Sequence, residues 1–176
     1  MDRRRFILAG SLVLTAGLKS GTARAFPPDS TSLRGRVVTV RDKAWNTVGR
    51  APDEKTADGM IERAVRELSG AGTLKESWNS FLGRAGVVGL KPNCLAGQGV
   101  CSSPQFVHAL AKQLLDCLPS IQKVVIWERS DRELRRAGFE IVKKGRLQCL
   151  GNDSAGYSPE LIIQGSVGSL FSRTVT

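Results

Sequence analysis

Apolar positions recur at a spacing near 3.6 residues in two long segments, a pattern that predicts two amphipathic helices. The first segment covers residues 53–68, and the second covers residues 105–118. Ser102 with Gln105 predicts a capping box at the start of the second helix, and Pro104 suits its first turn. Each helix has one apolar face, so both are expected to pack against a common core.

Two shorter helices are predicted from their capping signals. Residues 73–82 begin with a Thr-x-x-Glu pattern, and residues 131–137 follow a Ser-x-x-Glu pattern that starts at Ser130. Gly138 is expected to end the later helix, and residues 151–153 are predicted to form a turn.

Four short runs of apolar or β-branched residues predict strands, at 37–40, 87–90, 123–127 and 147–150. Strands that alternate with helices predict an α/β fold with an open, mostly parallel sheet and flanking helices, a Rossmann-like three-layer arrangement. The apolar residues of 158–172 are interrupted by glycines and receive no assignment. With no closing helix after them, the fold is expected to be incomplete at its C-terminus.

The first 25 residues have the three parts of an export signal. Arg3 and Arg4 belong to a basic start that runs into Phe6, and Ala23 and Ala25 mark the predicted cleavage site. The weakly apolar middle and the late positive charge resemble a twin-arginine signal, which implies the twin-arginine export machinery as a partner and a periplasmic location.

An N-terminal membrane anchor is the alternative interpretation of the same residues. The apolar run is about a dozen residues, whereas a helix needs ~20 to span a bilayer. Membrane contact is therefore expected only through the uncleaved signal. Residues 26–32 then form a linker rich in proline and serine, and residues 33–176 form the folded domain.

The net charge of +10 falls by four when the first 25 residues are removed. A basic balance is compatible with nucleic-acid binding, but the remaining basic residues are scattered and do not form a stripe. A solvated basic surface is the simpler interpretation, and no nucleic-acid partner is predicted.

The cysteines Cys94, Cys101, Cys117 and Cys149 form no CxxC pair. Tetrahedral zinc and iron–sulfur sites usually draw on such pairs, so neither a metal site nor a specific cofactor is predicted. A Cys94–Cys101 disulfide is compatible with an oxidising compartment but is not required for folding. His108, the one histidine, falls off the apolar stripe and is predicted at the surface without a catalytic role.

Polar and glycine residues follow two of the predicted strands. If these strands are parallel neighbours, their carboxyl ends meet at one sheet edge, where α/β proteins usually bind ligands. A lysine, an arginine and a helix N-terminus favour an anion there. The candidate ligand-binding residues are Lys91, Asn93, Gly97, Gly99, Ser102, Glu128 and Arg129. The alternative is purely structural, with Glu128 paired to Lys91 or Arg129 and the glycines serving turn geometry.

Three segments together resemble a bacterial protein family called domain of unknown function 362. They read GVVGLKPNCLAGQGVCSSPQFVHALAKQLL, VVIWERSDRELRRAGFEI and GNDSAGY, within residues 77–173. The resemblance implies the α/β fold and agrees with export, since exported members carry twin-arginine signals. Some members carry a ferredoxin-like cysteine cluster, which this chain lacks. Members are longer, so the chain is expected to correspond to their N-terminal half.

Three functions are compatible with these observations. The first is an exported protein, redox- or cofactor-linked, that acts on an anionic small molecule. The second is a non-catalytic anion-binding or assembly module of the cell envelope. The third is an inactive fragment. The sequence leaves open whether the chain is an enzyme, and it does not identify the reaction.

Overall fold

The protein is described by a computed structural model over residues 35–46, 53–164 and 167–174. In chain order its elements are α1 (Glu54–Ser69), α2 (Leu74–Leu82), β1 (Val87–Leu90), α3 (Pro104–Cys117), β2 (Lys123–Glu128), α4 (Asp131–Arg136), β3 (Leu147–Gly151), α5 (Asn152–Ala155), β4 (Tyr157–Gln164) and β5 (Val167–Ser172). A 3-10 turn at Lys43–Asn46 precedes them.

The predicted export signal and linker lie outside the described residues. They include Arg3, Arg4, Phe6, Ala23 and Ala25. The export prediction is therefore untested by the fold.

β1, β2 and β3 form one sheet in that order, and both pairs are parallel. Ile126 in the central strand pairs with Leu90 on one side and with Cys149 on the other. Parallel strands need crossover connections, which α3 and α4 supply here. The predicted α/β class, with a parallel sheet and flanking helices, is confirmed.

The helices pack on the sheet face that carries Val88, Leu90, Val124, Ile126 and Cys149. These side chains form one buried cluster with residues of α1, α2, α3 and α4. Removing this apolar surface from water is the main stabilising contribution to such a fold. The predicted helix faces of 53–68 and 105–118 are those buried in the cluster.

The opposite face of the sheet is less completely covered. Side chains alternate between faces along a strand, so Val87, Val125, Trp127 and Leu150 lie there. Val125 is 6% exposed although it is not part of the helix-covered cluster, and Val87 is 43% exposed. The described helices thus cover one face much more than the other.

A polar chain links three helices inside the core. The indole Nε1 of Trp78 donates to Oε1 of Gln113 at 3.0 Å, and the amide of Gln113 donates to Oδ1 of Asp58 at 2.8 Å. The buried indole of Trp78 and the buried amide of Gln113 therefore both have hydrogen-bond partners, as burial requires. Trp78 is a packing residue, as predicted.

The predicted strand at 37–40 is wrong. Residues 36–42 adopt no regular structure, and Val37 is 79% exposed. The segment is held to α1 by ion pairs of Arg36 with Glu67 at 3.3 Å and of Arg63 with Asp42 at 2.9 Å. β-branched residues favour a strand only where a partner strand is present, and none of the described strands pairs with this segment.

The chain after β3 departs from one prediction and shows an element where none was assigned. The predicted turn at 151–153 is instead the start of the single helical turn α5. Beyond it, β4 and β5 form an antiparallel hairpin in a sheet of their own, with Leu161 opposite Leu170. Leu161 is 58% exposed and Ile163 is 68% exposed.

Candidate functional site

Lys91 and Glu128 meet at the carboxyl edge of the sheet because β1 and β2 are parallel neighbours. Nζ of Lys91 lies 2.6 Å from both carboxylate oxygens of Glu128. The Lys91 side chain is 40% exposed, whereas that of Glu128 is only 9% exposed. The ammonium group therefore lies on the solvent side of the pair and the carboxylate lies beneath it.

The Glu128 carboxylate is held by backbone donors as well as by the ammonium. Oε2 accepts from the Cys94 N–H at 3.3 Å, and Oε1 accepts from the Arg129 N–H at 2.7 Å. A carboxylate with this many donors is fixed in position. The Lys91 ammonium also lies 5.6 Å from the ring centroid of Trp127, a cation–π distance.

The loop between β1 and α3 carries the other candidate residues that follow β1, and none of the described hydrogen bonds joins them to the Lys91–Glu128 pair. Asn93 is exposed, and its side-chain oxygen accepts from the Leu95 N–H at 3.4 Å. Gly97 and Gly99 have φ angles of 73° and 92°. These angles are left-handed, where glycine is favoured, so the two glycines serve turn geometry.

The predicted capping box of Ser102 and Gln105 is wrong by one residue. Ser103 is the N-cap of α3, and its hydroxyl accepts from the Phe106 N–H at 3.4 Å. Ser102 instead donates its backbone N–H to the Asn93 carbonyl at 3.3 Å. With two consecutive serines, only the backbone conformation decides which one has the extended φ and ψ of a cap.

Arg129 does not join Lys91 at the carboxyl edge of the sheet, hereafter the rim. Its guanidinium makes an ion pair and hydrogen bonds with the Glu133 carboxylate one helical turn later, and its side chain is 66% exposed. Its hydrogen bond to the Glu133 carboxylate raises the pKa of Arg129, so the guanidinium stays charged. The structure brings Lys91 and Glu128 together, and it directs Arg129 outward.

The carboxyl end of β3 carries a polar cluster that the sequence analysis missed. Oδ1 of Asp131 accepts from the Gly151 N–H at 2.6 Å, and Oδ2 accepts from the Ser154 hydroxyl at 2.6 Å. In return, Asp153 accepts from the Asp131 N–H at 2.9 Å. The cluster could have been predicted from the position of its residues in the chain, because residues 152–154 directly follow the third parallel strand.

The pKa of Asp131 shows which contacts dominate in this cluster. Burial raises the pKa, but the hydrogen bonds from Ser154 and Gly151, together with Lys143 and Arg135, more than offset that rise. The pKa therefore lies below its ordinary value of 3.8. Asp131 stays ionised and ties the start of α4 to the start of α5.

The cysteines and the histidine lie apart from the rim. All four cysteines are free thiols; Cys94 and Cys149 are buried, and Cys101 and Cys117 are half-buried. The predicted surface position of His108 is wrong, because its ring is half-buried and lies 6.0 Å from the ring of Phe139. Burial lowers the pKa of His108.

No group of three or more histidine, cysteine or acidic residues in the described part of the chain is placed to hold a metal ion. A groove of about 650 Å³ lies between residues 38–41 and α1. Two of its arginines, Arg63 and Arg66, already pair with Asp42 and Glu62. The charges of these two arginines are therefore compensated within the protein.

Comparison of the chain with protein-family models, with curated proteins and with solved structures finds no match. The resemblance to the domain of unknown function 362 family stays a prediction. Within residues 35–46, 53–164 and 167–174, none of the helices is both long enough and apolar enough to cross a membrane.

Proposed function

We propose that this chain is an exported α/β protein, similar to the domain of unknown function 362 family, that binds an anionic small molecule at the carboxyl edge of its parallel sheet. One observation carries the proposal. At the rim, the Lys91 side chain is 40% exposed over a Glu128 carboxylate that is 9% exposed. A ligand that approaches from solvent meets the cation first.

The pair is neutral in sum, but its charges are not equally accessible. The carboxylate oxygens of Glu128 already accept hydrogen bonds from Lys91 and from two backbone N–H groups. An ammonium group has three N–H donors. Those of Lys91 are directed at the two Glu128 oxygens, each at 2.6 Å, and at the Pro92 carbonyl at 3.4 Å. An anionic oxygen can replace the long contact with Pro92 and leave both contacts with Glu128 in place.

Two further exposed residues follow the same strand ends and can assist binding if their side chains turn toward the ligand. Asn93 is exposed at the same strand end and can offer its side-chain amide. Arg129 follows Glu128 directly and is 66% exposed, so its guanidinium can turn to a ligand at the cost of its contact with Glu133. Gly97, Gly99 and Ser102 shape the loop that carries Asn93.

A non-catalytic binding or assembly module is the second candidate, and the same geometry favours it over an enzyme. Glu128 is saturated by donors and is therefore poorly placed to accept a substrate proton. His108, which lies on α3 against Phe139, is not part of the rim. The chemistry that the described residues support best is binding and orientation of an anion.

Isothermal titration calorimetry of residues 26–176 tests the binding proposal. The ligands are inorganic phosphate, nucleoside phosphates and small carboxylates, each at low and high salt. We expect heat with at least one class, an affinity about tenfold lower in Lys91→Met, and an unchanged affinity in Lys112→Met. Lys112 is a matched control because it is an exposed lysine whose partner is Glu54 on another face.

The absence of heat with every anion would remove the binding proposal and leave the export proposal standing. Equal weakening in Lys91→Met and Lys112→Met would show a diffuse surface effect, because screening acts on all exposed charges alike.

A further inference from the structure

The loop between β1 and α3 is closed at its base by one backbone hydrogen bond. The Ser102 N–H donates to the Asn93 carbonyl at 3.3 Å. Cys94 and Cys101 are the next residues inward on the two sides of this closure. This hydrogen bond holds the two segments together, and Cys101 acts electrostatically on the Cys94 thiol, so the two cysteines are neighbours within one loop.

Two more hydrogen bonds make the loop compact. The Gly97 N–H donates to the Cys94 carbonyl, and the Cys101 N–H donates to the Gly97 carbonyl, each at 3.1 Å. Cys94 belongs to the buried core cluster, and Cys101 packs against that cluster. Both thiols therefore lie on the inner side of one short, folded loop.

The two thiols differ in access. Cys94 is 1% exposed, and burial, with the charges of Glu128 and Cys101, raises its pKa to about 12. Cys101 is half-buried, and its thiol donates to the Ala137 carbonyl at 3.6 Å. A reagent from solvent thus reaches Cys101 first, and the protected thiol of Cys94 is placed to react second.

We propose that Cys94 and Cys101 form a redox-active dithiol that exchanges with small-molecule disulfides. The Cys101 thiolate attacks a disulfide RSSR, and RS⁻ leaves with one proton as RSH. The Cys94 sulfur then attacks the Cys101 sulfur of the mixed disulfide while its thiol proton passes to the departing RS⁻, which leaves as a second RSH. The protein loses two electrons and two protons, and RSSR becomes two RSH.

Oxidation acts on the contacts that join the loop to its surroundings. The Cys94 N–H is one of the donors that hold Glu128, and the Cys101 thiol contacts Ala137 at the end of α4. Forming the disulfide removes the thiol donor from the Ala137 carbonyl and leaves the backbone contact to Glu128 in place. The dithiol is independent of the anion proposal, since it needs no bound ligand.

The test equilibrates folded residues 26–176 with oxidised and reduced glutathione at a series of ratios. Acid quenching, alkylation of thiols and peptide mass spectrometry then locate the disulfides. We expect a Cys94–Cys101 disulfide at oxidising ratios, with Cys117 and Cys149 still alkylated, and full reversal at reducing ratios. The midpoint of thermal unfolding should rise by about 5 °C on oxidation, because the disulfide closes a loop in the unfolded chain.

Single substitutions assign the order of attack. Cys94→Ala should accumulate a glutathione adduct on Cys101, and Cys101→Ala should leave Cys94 unmodified. Cys117→Ser, a half-buried thiol at the end of α3, is the matched control and should oxidise as the parent does. Circular dichroism shows whether each variant is folded. If Cys101→Ala does not fold, Cys101→Ser replaces it in the experiment.

Two results would overturn the proposal. One is alkylation of all four thiols at the most oxidising ratio. The other is a Cys94–Cys149 disulfide, since Cys149 is the other buried thiol whose charge acts on Cys94.

Discussion

At the scale of single residues, two positions at the carboxyl edge of the sheet set tight limits on what the chain tolerates. Gly151 ends β3 where the start of α4 passes, and Glu128 ends β2 beneath Lys91. One position limits volume and the other limits charge. Each limit comes from a neighbour far away in sequence, and each can be tested by a single substitution.

Gly151→Ala should destabilise the fold by about 3 kcal/mol, as overpacking of a close contact does. A Cβ at this position would lie 2.2 Å from the Asp131 nitrogen and 2.3 Å from the Ser130 carbonyl carbon, so α4 would have to move. Gly59→Ala is the control, because nothing lies within 4 Å of a Cβ there and α1 should gain about 1 kcal/mol. Urea unfolding measures the stability of both variants. Equal unfolding midpoints for the two variants would contradict the close contact at Gly151.

Lys91→Met should lower the free energy of unfolding by about 1–2 kcal/mol. The substitution leaves the Glu128 carboxylate, 9% exposed, without its cation, and the half-exposed state of Lys91 moderates the loss. Lys112→Met removes an ion pair that is open to solvent and should leave the urea midpoint unchanged. If the two variants unfold alike, the Lys91–Glu128 pair is no more than a surface ion pair.

At the scale of elements, α4 shows how a helix of six residues is kept in place by its ends. Ser130 caps its start by accepting from the Glu133 N–H at 3.3 Å. At its end, Gly138 and Phe139 donate to the Arg135 and Leu134 carbonyls at 3.0 and 2.9 Å, a Schellman motif. A helix this short is not stable alone, so its position depends on these caps and on Asp131.

Asp131 makes the stability of the α4–α5 junction depend on pH. Its folded pKa lies below the ordinary value of 3.8, so its contribution is complete above that pH and is lost as pH falls through the lower folded value. Asp131→Asn should therefore unfold more easily at pH 7 and lose less stability between pH 5 and pH 3 than the parent. Asp116→Asn on the exposed side of α3 is the control, and its acid profile should follow the parent.

The pH series is read from urea midpoints at each pH. A parallel acid profile for Asp131→Asn and the parent would show that other carboxylates govern acid unfolding.

At the scale of the whole molecule, apolar surface is distributed unevenly. The helices cover one face of the parallel sheet, while Val87 on the other face and Leu161, Ile163 and Phe171 on the β4–β5 hairpin remain exposed. A two-stranded hairpin is marginal by itself. The protein thus joins a well-packed βαβ core to a more exposed C-terminal hairpin.

The proposed export would also involve the whole chain, because a twin-arginine signal acts on a folded protein. Replacement of Arg3 and Arg4 by lysine should abolish export of a fluorescent reporter fused to residues 1–32. Lysine keeps the charge but lacks the planar guanidinium that a receptor binds with two hydrogen bonds. Cell fractionation gives the result, with Lys19→Arg as the control.

Undiminished export of the double-lysine variant would mean that the signal is not of the twin-arginine type. In that case the anion-binding proposal would still stand on the geometry of the rim.

The sequence by itself determined the elements whose signals are local. The apolar faces of α1 and α3, the Thr73–Glu76 capping box of α2 and the strand pattern around β2 were all predicted from spacing within one element. These signals depend on residues that are close together in the sequence, so they can be recognised without the tertiary structure. The parallel pairing of β1 with β2 was the condition on which the site prediction depended, and the structure meets it through a helical crossover.

Only the tertiary structure decided the contacts that cross between elements. It left residues 37–40 without a partner strand, turned Arg129 toward Glu133, and placed Asp131 against Gly151. It also set Glu128 beneath Lys91, where the sequence allowed either a ligand site or an ion pair. Such outcomes depend on which side chains approach through space, and spacing along the chain does not encode that distance.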